Sequence, residues 1–197
     1  MSKNIIVCID PGHADKINPG IIEDFYEGTV MYELAEKIKE ELEKYDGYKV
    51  VISKYSITSN PSQKERVNSA LLSNAEYFIS LHSLNNMHII YDETIAVFGS
   101  KSSNETLREK LIDTITKNSN NRAYTVDFSR KINLNCLESD LDLFELMKEL
   151  ELSDIENGYI IILGHNFNKD FCMWIMDSNN QKQLAIDIAN TIISYKK

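Results

Sequence analysis

The sequence contains little glycine, proline or cysteine: seven glycines, three prolines and three cysteines among 197 residues. The glycines never cluster, which excludes a glycine-rich phosphate-binding loop, and no Gly-x-Ser-x-Gly nucleophile turn occurs. Cys8, Cys136 and Cys172 are widely spaced and form no Cys-x-x-Cys pair. The sequence therefore contains no sign of a disulfide framework, and a reducing compartment is the expectation.

Positive charge is also scarce, with 21 Lys and Arg against 30 Asp and Glu and a net charge of -9. No basic stripe runs along the chain, which argues against a nucleic-acid partner. No apolar run reaches the length of a bilayer span, and no signal-peptide pattern precedes the first apolar run. The sequence therefore predicts a protein that is made and kept in the cytoplasm and has no membrane span.

Short apolar runs alternate along the chain with helical patterns of about ten residues or more. This alternation predicts one α/β domain over residues 1–197, with a mostly parallel central sheet of about six strands and helices on both faces. The segment from 117 to 139 is rich in Asn, Ser and Arg, and we expect a surface excursion or a β-hairpin there. The predicted strands are 5–9, 48–52, 76–81, 94–98 and 159–163, and the predicted helices are 27–44, 63–73, 105–117, 141–150 and 181–195.

Three residues that can bind a metal each stand at the end of a predicted element. His13 follows the first strand after a turn-forming Asp-Pro-Gly, Glu27 opens a helix, and His82 follows the strand at 76–81. The carboxyl ends of parallel strands are where functional groups collect in such sheets. Two imidazoles and a carboxylate suit Zn²⁺ and leave a fourth position for water. Each has a structural alternative, since Glu27 could stabilise its helix N-terminus and His82 could be an internally hydrogen-bonded strand-end histidine.

The order and setting of these residues resemble the zinc-dependent N-acetylmuramoyl-L-alanine amidases of type 3, which include cell-wall hydrolases and phage endolysin domains. The resemblance covers nearly the whole chain and is weakest between residues 101 and 155. It rests on the turn Asp10-Pro11-Gly12-His13, on Glu27 eight residues before Ala35, on Arg66 and Asn68, on Ser80-Leu81-His82, and on Leu163-Gly164 with Asn168.

The resemblance implies both a cofactor and a reaction. Zn²⁺ would be held by His13, Glu27 and His82, and a zinc-activated water would cleave the amide that joins N-acetylmuramic acid to L-Ala. The partner would be peptidoglycan or a muropeptide. A protein kept in the cytoplasm would also need a release partner of the holin type to reach the wall.

One position departs from the family's pattern. The family has a second glutamate immediately before the Leu-Gly pair, where it transfers protons during hydrolysis, and this chain has Ile162 there. Such a group normally contributes about 10²- to 10⁴-fold in rate. His165, just beyond the glycine, is a possible surrogate, although a solvated loop histidine is the simpler interpretation.

Two hypotheses follow from the sequence. One is a working amidase in which His165 or a water network moves the protons. The other is a catalytically impaired homologue, namely a zinc- and muropeptide-binding module, a regulator or a prophage remnant.

Overall fold

The computed structural model describes residues 4–85, 94–119, 124–125 and 141–195, and they form one α/β domain. The strands are β1 (Ile5–Pro11), β2 (Tyr48–Ile52), β3 (Tyr77–Leu84), β4 (Thr94–Gly99), β5 (Tyr124–Thr125) and β6 (Asn157–His165). The helices are α1 (Glu27–Leu42), α2 (Gln63–Leu72), α3 (Glu105–Asn118), α4 (Leu141–Glu151), α5 (Lys169–Met176) and α6 (Ser178–Ser194). Most of the predicted excursion at 117–139, including Cys136, lies outside the described residues.

The strands form a sheet in the order β2-β1-β3-β6-β4-β5. The first four strands in this order, β2, β1, β3 and β6, run parallel to one another. β4 runs antiparallel to β6, and the two-residue β5 pairs with β4 in parallel at the edge of the sheet. The prediction of a mostly parallel sheet is therefore confirmed, with five strands in the main sheet and β5 as a minimal sixth. The antiparallel β4 was not predicted, because strand direction leaves no trace in the apolar pattern.

Both faces of the sheet are covered by helices, so its central strands are nearly continuous apolar runs. In β6 alternate residues enter different clusters: Ile161 packs with the first and Ile160 with the second. The first cluster is completed by α1, α3, α5 and α6, and the second by α2 and α4. Helices on both faces, as predicted, hold the sheet in place. No helix among the described residues has the length and apolar character needed to cross a membrane.

Four strands end later than predicted, β1 at Pro11, β3 at Leu84, β4 at Gly99 and β6 at His165, and one helix was not expected. β3 continues past His82 to Leu84, and β6 continues to His165, because the backbone beyond both predicted ends stays paired, with Leu84 opposite His165. α5 is only eight residues long and starts at Asn168, whose side chain accepts a hydrogen bond from the backbone N–H of Phe171. A helix this short gives too few turns for a periodic signal.

Candidate metal centre

The chain delivers two histidines to one end of the sheet from neighbouring strands. Pro11 of β1 is paired with Leu81 of β3, and the N–H of Gly12 donates to the carbonyl of Leu81 at 2.9 Å. His13 follows with a φ of 51°, in the left-handed region, which turns the chain away from the sheet. As a result, His13 at the end of β1 and His82 in β3 face the same space.

Glu27, the first residue of α1, completes a compact group of three ligand atoms. Its Oε1 lies 3.2 Å from Nδ1 of His82 and 3.7 Å from Nε2 of His13, and all three ligand atoms lie within 4.8 Å of one another. Ligand atoms around a tetrahedral zinc ion with bonds of about 2.1 Å are separated by about 3.4 Å. The three predicted ligands are therefore brought together at a spacing that fits one metal ion.

The Glu27 carboxylate is fully buried and hydrogen-bonded on both oxygens. The backbone N–H of Ser83 donates to Oε1 at 3.0 Å, and the side-chain amide of Asn18 donates to Oε2 at 2.9 Å. Burial by itself would raise the pKa of Glu27, but the hydrogen bond from His82, the electrostatic effect of the two nearby histidines and the Ser83 N–H outweigh it and lower that pKa. The Glu27 carboxylate is thus ionised, which is the form that can bind a metal.

His13 is held in the form that binds metals. Burial lowers its pKa, and the nearby Glu27 only partly offsets this effect. The ring is therefore neutral at neutral pH, as metal ligation requires. The ammonium of Lys54 donates to the backbone carbonyl of His13 and fixes the turn, and burial lowers the pKa of Lys54 to about 8.

A buried ion pair supports the far side of His82. Arg66 donates to Asp10 from Nε at 2.7 Å and from Nη2 at 2.5 Å, and the hydroxyls of Ser53 and Ser80 donate to the same carboxylate at 2.5 and 2.6 Å. Burial would raise the pKa of Asp10, but Arg66 and these hydrogen bonds lower it. Nη2 of Arg66 also lies 3.3 Å from Nε2 of His82. Because arginine can only donate, Nε2 accepts, and Nδ1 of His82 carries the proton that faces Glu27.

Comparison with known families identifies the family of this chain. The sequence profile of the N-acetylmuramoyl-L-alanine amidase family matches residues 7–194. The chain belongs to this family. The match includes His13, Glu27 and His82 and confirms the resemblance to this family. The search of curated proteins found no match.

Solved amidase structures share the fold of this family member at low sequence identity. An N-acetylmuramoyl-L-alanine amidase from Clostridium difficile 630 has a TM-score of 0.76 at 22% identity, over 98% of this chain and 97% of that one. AmiC2 of Nostoc punctiforme has a TM-score of 0.73 at 20% identity, over 99% and 98%. The catalytic domain of CwlV from Bacillus (Paenibacillus) polymyxa has a TM-score of 0.68 at 18% identity, over 97% of each chain.

Ile162, where the resemblance predicted the family's proton-transferring glutamate, has apolar surroundings as well as an apolar side chain. Ile162 of β6 is paired with His82 of β3, so both side chains project from the same face of the sheet. Ile162 is 1% exposed and belongs to a buried apolar cluster with Leu143 and Leu146 of α4. Ile162 and its neighbours from α4 therefore present hydrocarbon side chains on the sheet face that also carries His82.

His165, the possible surrogate, lies elsewhere than predicted. It is the last residue of β6 and is 3% exposed, so the expectation of a solvated loop histidine is wrong. Its Nδ1 accepts a hydrogen bond from the backbone N–H of Phe167 at 3.1 Å, which places the proton of the neutral ring on Nε2. His165 is not part of the three-residue group of ligand atoms found among the described residues. To act as a base through Nδ1, it would have to release the Phe167 contact.

Gly12 makes room for His82, and this gives a first prediction. A Cβ atom at position 12 would lie 2.5 Å from both Nδ1 and Cε1 of the His82 ring. We expect Gly12→Ala to displace that ring and to weaken zinc binding by about 10- to 100-fold, measured by chelator competition. The matched control is Gly47→Ala, whose added Cβ meets nothing within 4 Å and whose φ of 89° costs about 1–2 kcal/mol of stability. Equal zinc affinities for the Gly12 variant and wild type would contradict the assigned role of Gly12.

Proposed function

We propose that this family member binds one zinc ion through His13, Glu27 and His82 and hydrolyses the peptidoglycan amide between N-acetylmuramic acid and L-Ala. The observation that carries the proposal is the meeting of these three side chains in an amidase-family chain. Oε1 of Glu27 lies 3.2 Å from Nδ1 of His82 and 3.7 Å from Nε2 of His13. The proposal includes a holin-type partner for release to the wall.

The donor set suits this chemistry. Glu27 supplies a buried negative charge, His13 a neutral imidazole, and His82 a second ring nitrogen within reach of the same metal position. When bound, zinc supplies a Lewis acid that polarises the scissile carbonyl and activates a water. Three protein ligands leave room for that water and the substrate.

A second candidate is a catalytically impaired homologue that keeps the metal and its muropeptide but turns over slowly. The specific observation in its favour is Ile162, which puts an apolar side chain beside His82 where the family has its proton-transferring glutamate. Loss of such a group lowers the rate by about 10²- to 10⁴-fold. The occupied Nδ1 of His165 also favours this candidate, because the possible surrogate base is already engaged.

One assay separates the two candidates. Purified peptidoglycan is incubated with zinc-loaded wild type, with the metal-site variant His82→Ala and with heat-inactivated protein, and newly freed L-Ala amino groups and sedimented protein are both measured. Brisk release that His82→Ala abolishes supports the working amidase. Binding to peptidoglycan with little or no release supports the impaired homologue. Neither binding nor release would contradict both.

A further inference from the structure

Asn18, in the loop between β1 and α1, contacts Glu27 twice. Its side-chain amide donates to Oε2 of Glu27 at 2.9 Å, and its backbone carbonyl accepts from the N–H of Glu27 at 3.0 Å. We propose that Asn18 is a positioning residue of the metal centre, which holds Glu27 so that Oε1 alone binds the metal. This inference rests on the proposed zinc function and extends it to a residue outside the ligand set.

The two oxygens of Glu27 are divided between different neighbours. Oε1 faces both histidines and also accepts from the N–H of Ser83, whereas Oε2 points at Asn18. A carboxylate can bind a metal through one oxygen or through two, and a hydrogen bond to the second oxygen favours the first mode. With its second oxygen held by the Asn18 amide, Glu27 would bind a metal through one oxygen, which would leave more of the coordination sphere for water and substrate.

Asn18 is itself held by contacts that do not involve the three ligands. The side-chain amide of Asn166 donates to the backbone carbonyl of Asn18 at 3.4 Å, and its Oδ1 accepts from the hydroxyl of Ser83. The backbone of Asn166 is bound by the carbonyl of Leu84 and the N–H of Ile21, each at 2.8 Å. Asn166 is fully buried and joins the loop that carries Asn18 to the ends of β3 and β6. The position of Asn18 is therefore fixed by contacts within the protein that need no metal.

The backbone conformation of Asn18 allows a substitution that removes the side chain without straining the backbone. Its φ of 53° lies in the left-handed region, which glycine adopts without strain. Asn18→Gly thus removes the side-chain amide and leaves the backbone conformation accessible. Asn74 has a φ of 57° in the turn between α2 and β3, so Asn74→Gly makes the same chemical change at the same backbone conformation and touches none of the three ligands.

The test compares zinc affinity, by chelator competition, for wild type, Asn18→Gly and Asn74→Gly. We expect Asn18→Gly to bind zinc about 10- to 100-fold more weakly, and Asn74→Gly to match wild type within about twofold. Cobalt-loaded samples provide a second measurement. The visible absorption of wild type should be that of a four-coordinate site, and that of Asn18→Gly should weaken as Glu27 turns to bind through both oxygens.

The outcomes distinguish this inference from the proposed function. Wild type that binds zinc, with Asn18→Gly unchanged in affinity and spectrum, would overturn the positioning role alone. An equal loss of affinity in Asn74→Gly would also overturn it, because the effect would then be general. Wild type that takes up neither zinc nor cobalt would overturn the metal centre and, with it, the role of Asn18.

Discussion

Ile162→Glu is expected to raise the rate of peptidoglycan amide cleavage by about 10²-fold or more over a slow wild type. The side chain at position 162 projects from the same sheet face as His82, so a carboxylate there would stand beside one of the proposed metal ligands. A positioned carboxylate can take a proton from that water and pass it to the leaving amine. The rate is read as L-Ala amino groups released from purified peptidoglycan in the presence of zinc.

The same substitution should reduce stability. Ile162 is 1% exposed among apolar neighbours, and burial of a carboxylate there costs a few kcal/mol unless the metal and water accept it. Ile162→Gln is the matched control, because a glutamine side chain has nearly the shape of glutamate but cannot transfer a proton. We expect the Gln variant to be destabilised without any gain in rate.

Two results would contradict this account of position 162. The first is brisk cleavage by wild type that His165→Ala abolishes and that substitutions of Ile162 leave unchanged, which would make His165 the base. The second is brisk cleavage by wild type that Asp142→Asn abolishes and that substitutions of Ile162 leave unchanged, which would make Asp142 the base. Asp142 lies at the start of α4, is exposed, and is close enough for its charge to raise the pKa of His13. The expected gain in rate would itself be contradicted by an Ile162→Glu variant that folds, binds zinc and remains inactive.

Arg66→Leu is expected to lower the free energy of unfolding by about 3–5 kcal/mol, because it leaves the buried charge of Asp10 without its partner. Asp10 is fully buried, and two of its hydrogen bonds come from Arg66. The Ser53 and Ser80 hydroxyls would remain, but neither carries a charge. The measurement is denaturant unfolding of the metal-free protein, so that zinc binding does not enter the comparison.

A surface ion pair supplies the control for Arg66. Lys44 lies 2.6 Å from Glu41, with the lysine side chain 60% exposed, and Lys44→Ala should change stability by less than about 1 kcal/mol. Similar small losses in Arg66→Leu and Lys44→Ala would show that Asp10 tolerates the loss of its partner. The buried pair would then not be a structural support of the site.

The meeting of His13, Glu27 and His82 could be predicted because each residue is tied to a local pattern. His13 follows an Asp-Pro-Gly turn at the end of an apolar run, Glu27 starts a regular helix, and His82 lies in an apolar strand. Parallel topology then brings the strand ends together. The same reasoning predicted the sheet and the placement of helices on both of its faces.

The residues that hydrogen-bond to the site's carboxylates could not be predicted from the sequence in the same way. Ser53 and Asn18 lie in different loops, and nothing near them in sequence indicates a contact with Asp10 or Glu27. Such hydrogen bonds depend on how distant segments meet, which a periodic pattern does not encode. The burial of His165 was missed for a related reason, because pairing with Leu84 extends β6 beyond the end of its apolar run.

The measurement that tests the metal centre most directly is the zinc content of purified protein after dialysis against a weak chelator. The account predicts about one zinc per chain for wild type and for His165→Ala, and almost none for His13→Ala and His82→Ala. It also predicts that added zinc raises the melting temperature of wild type and not that of His13→Ala. Metal-free wild type, with neither zinc uptake nor melting temperature altered by His13→Ala, would contradict the central claim.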